Sequence, residues 1–189
     1  PSTQIAPGFT VTDWNALRQI LIKDFDKDGL PESWIRAQQV FEARIMNRFF
    51  SPLEKIIATD QKRGEGFAVM SLLCLLLEHL ASWRYGLIFT LKKNDDEQLY
   101  PYEYNNSRGI FKKFLTQEKP FKTFFDSKTK ADNFYQNVRC GLLHEARTKQ
   151  AWVIRYDSNR PEMMWNDVQR HSVVINRHAF YAGLISWVK

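Results

Sequence analysis

One run of apolar residues limits the folds open to this chain more than any other stretch. Phe67 to Leu77 is almost unbroken hydrocarbon, closed by Glu78 and His79. It is too short to cross a bilayer and reads as a helix buried in protein. The expected helix extends to about Phe89. Other helices must pack around it, and the chain supplies the right periods. Apolar residues at 14, 17, 20, 21 and 25 recur at helical spacing, with Thr12 or Asp13 as the expected N-cap. Gly29 ends that segment, and Pro31-Glu32 opens the next, which carries Trp34, Ile35, Val40, Phe41, Ile45, Phe49 and Phe50. Pro52 is expected to break or kink it, with Leu53 to Ile57 as a further turn.

Gly64 and Gly66 mark a turn ahead of the apolar helix. Asn94 to Ser107 is polar and tyrosine-rich and reads as a surface loop. Helical pattern returns at Ile110 to Leu115, is interrupted by Pro120, and resumes from Lys128 to Ala146. The period then changes. Ala151 to Tyr156 and His171 to Ile175 read as two strands of a hairpin with a long connection, and Ala179 to Val188 closes as a helix. The expected fold class is mainly α, a helical bundle with a small β-hairpin appendage near the C-terminus. With 189 residues, 44% apolar and 14% aromatic, residues 1–189 fit a single domain with a real core. The chain lacks an initial Met and stops inside a helical pattern at Ser186-Trp187-Val188-Lys189, which reads as a fragment trimmed at both ends.

Charge is unevenly placed. Residues 108–150 hold ten Lys and Arg against four Asp and Glu, so the whole net charge of +6 lies there. That bias fits an anionic partner, RNA or DNA ahead of membrane, and charge alone fits a solvated lysine-rich helix face equally well. Cys74 and Cys140 make no disulfide framework, which favours a reduced, cytoplasmic setting.

The basic segment contains Phe134-Tyr135-Gln136-Asn137-Val138-Arg139-Cys140-Gly141-Leu142-Leu143-His144-Glu145-Ala146-Arg147. Arginine stays charged and can clamp a phosphate. Histidine exchanges protons near neutral pH. Together they suffice for metal-free cleavage of a ribose-phosphate backbone. On an ideal helix Arg139 and His144 are separated by about 140° and roughly 7.5 Å along the axis, so they do not share a face. Three routes would bring them together: loosening of the helix at Gly141, a swing of the arginine stem, or pairing of two copies across a two-fold axis. The dimer route has chemical merit. Attack by a 2′-hydroxyl needs one base and one acid, and two histidines fill both roles. Two arginines would neutralise charge on the phosphorus centre.

Arg139-Cys-Gly-Leu-Leu-His144 resembles the Arg, four-to-six residues, His motif of the HEPN superfamily (higher eukaryotes and prokaryotes nucleotide-binding). The resemblance is specific over roughly twenty residues around the motif. It implies a helical bundle, often dimeric, and a metal-independent endoribonuclease of the kind found in toxin–antitoxin, abortive-infection and CRISPR-linked defence. Arg139 and His144 would then be catalytic. Family analogy also asks for an acidic residue on an earlier helix to orient the arginine, and Glu78 is the candidate. Cys140 is a departure, because active members often carry a polar residue directly after the arginine. Arg147 and Lys149 would hold flanking phosphates. Apart from the resemblance, Phe111, Phe114 and Leu115 fit helical core spacing, so most of the phenylalanines interleaved with lysines are expected in the core, which leaves Lys112, Lys113, Lys122, Lys128 and Lys130 to line a nucleic-acid groove. The implied partners are RNA, a second copy of the chain, and an antitoxin or regulatory protein, with no membrane and no cofactor. The alternative is a non-catalytic module of the same fold, binding nucleic acid, nucleotide or protein. A third reading is a plain helical interaction domain whose Arg139 and His144 are structural.

No metal cluster is evident in the sequence. Asp24-Phe-Asp26-Lys-Asp28-Gly29 matches the start of an EF-hand loop, but Ile35 stands where the bidentate Glu belongs and Pro31 intrudes. A capped turn between helices is the better reading.

Overall fold

The computed structural model describes residues 3–59, 64–91 and 98–189. It is mainly helical with small sheets, and the chain forms two compact units, Pro1–Ala58 with Val188–Lys189, and Thr59–Trp187.

The first unit begins with two short antiparallel strands, β1 (Gln4–Ala6) and β2 (Phe9–Thr10), which the sequence pattern does not announce. Gly8 makes the turn at φ 67°, a region open to glycine. Helix α1 (Val11–Lys23) follows. Its N-cap is Thr10 rather than Thr12 or Asp13, and Asp13 instead closes a reciprocal capping box with it. Helix α2 (Glu32–Ile45) opens after Pro31 as expected. Ala6, Phe9, Leu17, Leu21 and Val40 form the core of this unit. Between α1 and α2 the EF-hand-like turn is occupied by its own neighbours. Asp24 accepts from Ser33 Oγ at 2.7 Å and pairs with Lys27 at 2.7 Å. Gly29 there sits at φ 83°.

Pro52 does not end the helical path. A π turn at Met46–Phe50 leads into α3 (Ser51–Thr59), and Ser51 N–H donates to Met46 O, five residues back. Widening the turn just before Pro52 accommodates a residue that has no N–H to give.

The second unit is built on α4 (Glu65–Arg84), whose buried stripe includes Val69, Met70, Leu73, Leu76, Leu77 and Leu80. The helix is long and apolar enough to cross a membrane by length and composition, but half of its apolar window is buried in protein. It stops short of Phe89. Gly86, at φ 63°, turns the chain, and β3 (Ile88–Phe89) pairs in parallel with β4 (Glu103–Tyr104). Part of the expected loop, 94–97, lies outside the described residues.

Helix α5 (Ser107–Gln117), capped by Asn106, buries Ile110, Phe111, Phe114 and Leu115. A 3₁₀ turn at Phe121–Thr123 precedes α6 (Lys128–Phe134), capped by Ser127. The expected helix from Lys128 to Ala146 is one run in three pieces: α6, a π turn at Tyr135–Arg139, and α7 (Cys140–Glu145). Ala146 ends it in the left-handed conformation at φ 51°. Phenylalanines interleaved with lysines in the sequence are core here: Phe111, Phe114, Phe121, Phe125 and Phe134 are fully buried, and the Phe134 ring touches Phe111, Phe125, Trp152 and Phe180.

The β appendage departs from the expected hairpin. It has three strands, β5 (Trp152–Arg155), β6 (Met164–Asp167) and β7 (Ser172–Asn176), in the order β5-β7-β6. The two expected strands do pair, but in parallel, while β6 and β7 form the antiparallel hairpin. The intervening β6 reverses the chain, so β7 returns in the direction of β5. Helix α8 (Arg177–Val188) follows at once.

Candidate functional site

Glu78 stands on α4 beside the buried stripe, and Arg139 is the last residue of the π turn. Arg139 Nη2 donates to Glu78 Oε2 at 3.0 Å, with the two side chains only 19% and 15% exposed. The π turn matters to this geometry. Cys140 N–H bonds to Tyr135 O, five back, and the wider turn carries Tyr135 and Arg139 toward one face. The Arg139 Cζ lies 5.2 Å from the Tyr135 ring centre, and that ring meets Phe111 edge-on at 5.3 Å. Burial disfavours the guanidinium's charge, but Tyr135, Glu78 and Cys140 together outweigh it, and the Arg139 pKa rises above its ordinary value. Burial likewise raises the Tyr135 phenol, against the pull of Arg139. The site therefore holds a fixed cation between a carboxylate and an aromatic face.

Arg139 lies at the boundary of two hollows. The larger, a cleft of about 840 Å³, is walled by Trp83, Leu87, Ile88, Phe89 and Tyr104 and carries Glu78, His79 and Ser107 as polar groups. The smaller, about 190 Å³, lies between Ser71, Cys74, Leu75, Leu142 and Leu143. Leu75 and Leu143 are 58% and 61% exposed. The Cys74 thiol beneath is pushed up to about 12 by burial, so it stays protonated.

His144 does not join Arg139 within one chain. It is exposed on the last turn of α7, lines neither hollow, and makes no hydrogen bond or ion pair among the described residues. The expected loosening at Gly141 is absent, since residues 140–145 are regular α-helix. Gly141 serves a different purpose. A Cβ there would sit 2.4 Å from the Arg147 carbonyl oxygen, because the chain after Ala146 folds back against the helix. Arg147 N–H bonds Gly141 O and Lys149 N–H bonds Asn137 O, fixing that return.

Most of the expected phosphate-binding cations have acidic or aromatic neighbours. Arg147 donates to Glu145 at 2.8 and 3.0 Å, and Lys149 pairs with the same carboxylate. Lys112 pairs with Asp132 at 3.2 Å, alongside Arg108. Lys113 Nζ lies 3.9 Å from the Tyr85 ring, and Lys130 pairs with Asp126 at 2.8 Å. Lys122 and Lys128 are exposed and make no ion pair among the described residues. Lys128 and Lys130 sit at the far end of the α6–α7 run, about 14–17 Å along the axis from Arg139. They do not form one groove with it. Lys130 borders a separate cleft of about 440 Å³ with Trp165.

Tyr135, Trp83, Phe89 and Tyr104 complete the surroundings of Arg139 without having been marked by the motif. Only Tyr135 left a signal, four residues before the arginine on the same run. Among the described residues, no group of three or more His, Cys, Asp or Glu is placed to hold a metal ion.

Comparison of the chain with protein families, with curated proteins and with solved structures found no match.

Proposed function

We propose that this chain is a HEPN-type, metal-independent endoribonuclease that works as a homodimer. The observation that carries the reading is the Arg139–Glu78 pair. A permanently charged guanidinium is oriented at the edge of an open cleft, five residues before an exposed, unencumbered imidazole. One chain leaves those two groups apart, so the reading requires a second copy. The exposed Leu75 and Leu143 flank Arg139, and burying them against their symmetry mates gives such pairing a driving force.

In the paired site one His144 takes the proton of a ribose 2′-hydroxyl. The 2′-oxygen forms a bond to phosphorus, and the bond from phosphorus to the 5′-oxygen breaks. The second His144 protonates that leaving oxygen. Arg139 neutralises charge on the phosphoryl oxygens at the moment it develops. The products are a 2′,3′-cyclic phosphate and a 5′-hydroxyl. The same reading sets the protein in the cytoplasm, in a toxin or phage-defence role, held in check by an antitoxin or other regulatory partner.

The second reading is a non-catalytic module of this fold that binds nucleic acid, nucleotide or protein. Cys140 next to Arg139 favours it, as does the separation of His144 from Arg139 within one chain. RNA cleavage in EDTA separates the two. The nuclease reading expects cleavage by the wild type and a loss of about 100-fold or more in both His144→Ala and Arg139→Ala. Absence of cleavage by the purified wild-type dimer supports the binding module instead.

A further inference from the structure

The cleft beside Arg139 has features that phosphate chemistry alone does not require. Its walls are rings: Phe89 and Tyr104 meet edge to face at 5.4 Å, and His79 and Trp83, one turn apart on α4, do so at 6.0 Å beside the same cleft. Phe89 is 47% and Trp83 48% exposed, so large ring area faces the opening. Tyr104 shares the cleft with Glu78, and burial, aided by that carboxylate, raises its phenol, so the hydroxyl is a protonated donor. Glu78 gives one oxygen to Arg139 and keeps a second acceptor beside the cleft. A flat, polar-edged heterocycle matches this combination: stacking surface on the walls, a donor and an acceptor for its edge, and a cation for an attached phosphate.

We propose that the cleft is a nucleobase pocket, taking one unpaired base of the RNA adjacent to the phosphate on Arg139. The proposal rests on the nuclease reading only for the role of that phosphate. The base stacks on Phe89. Glu78 accepts from an exocyclic amine, so adenine, cytosine and guanine bind ahead of uracil, which has no amine. A base that must enter the pocket selects single-stranded RNA over duplex.

The test uses a short oligonucleotide with 2′-O-methyl groups throughout, which cannot be cleaved through a 2′-hydroxyl, and one 2-aminopurine as the fluorescent base. Binding to the wild-type protein is expected to quench the fluorophore. Phe89→Ala weakens binding roughly tenfold, while Phe89→Tyr retains it. Phe89 is half exposed, so its loss does not threaten folding, and circular dichroism verifies that. Replacing the 2-aminopurine site by uracil in a competitor should raise the concentration needed to displace the probe. Equal affinity of wild type and Phe89→Ala, or no quenching at any position of the fluorophore, overturns the pocket, whether or not the protein cleaves RNA. Quenching that depends on Phe89 upholds the pocket, and if the same protein cleaves no unprotected RNA it is the nuclease reading that fails.

Discussion

At the scale of single residues, the decisive contact joins Glu78 to Arg139 across 61 positions of sequence. The carboxylate offsets the burial of the guanidinium and fixes its direction, so its loss should be felt in both folding and chemistry. Glu78→Gln keeps an acceptor but removes the charge. It is expected to lower stability by about 2 kcal/mol in urea unfolding and to reduce any Arg139-dependent activity; an unchanged denaturation midpoint would mean that the pair contributes nothing. This contact was legible in outline. An acidic residue closing an apolar run is unusual enough to demand a partner, and the resemblance supplied the arginine. The surrounding rings were not legible. Phe89 and Tyr104 come together through a parallel pairing of two-residue strands, and two residues show no periodicity.

At the scale of elements, the motif run is shaped by its interruptions. The π turn swings Arg139 over Tyr135, and the left-handed cap at Ala146 sends the chain back over Gly141. Two substitutions on this one cap should act in opposite directions. Gly141→Ala forces a Cβ against the Arg147 carbonyl and is expected to destabilise by about 1–3 kcal/mol. Ala146→Gly relieves a strained φ and is expected to stabilise by about 0.4–1 kcal/mol. Thermal unfolding of both variants checks this, and two shifts of the same sign would contradict the cap. Helix existence was readable from period and capping residues throughout: α1, α2, α4 and α5 follow their apolar stripes. The π turns were not, because the one-residue offset that each puts into the apolar stripe spans only five residues and is lost in the ordinary variation of the pattern. The sheet topology was misread for a different reason. Met163-Met164-Trp165-Asn166-Asp167 has no β-branched residue, so β6 gave no strand signal, and without it β5 and β7 looked like hairpin neighbours.

At the scale of the whole molecule, charge placement sets how the fold responds to pH. Hydrogen bonds from Arg108, with Lys112 beside it, hold Asp132 at about 2, below its ordinary 3.8. The unfolded chain then binds this proton more readily, so the contribution is complete above about pH 4 and is lost as pH falls toward 2. Burial, aided by Arg177, lowers the pKa of His178 below 6.5. Here too the unfolded state takes up the proton first, and stability declines as pH drops below about 6.5. Melting temperature should therefore fall in two acid steps; Asp132→Asn weakens the lower, which Asp13, Asp24, Glu145 and Asp167 share through their own lowered pKa values, His178→Phe removes the upper, and a wild-type profile flat from pH 7 to 5 would contradict the second. The net +6 of the segment from 108 to 150 suggested a single basic groove, yet folding spends most of those cations on Glu145, Asp132, Asp126 and the Tyr85 ring. Composition records charge but not its partners, so the groove could not be read from sequence. In the proposed nuclease reading the functional weight falls on Arg139 and His144, and the chemistry proposed for them leaves a distinctive product. The most direct measurement is the identity of the ends formed when purified protein cuts a defined RNA in EDTA. Ends bearing 2′,3′-cyclic phosphate and 5′-hydroxyl, lost in both Arg139→Ala and His144→Ala, are predicted; 3′-hydroxyl and 5′-phosphate ends, or equal yields from all three proteins, would contradict the account.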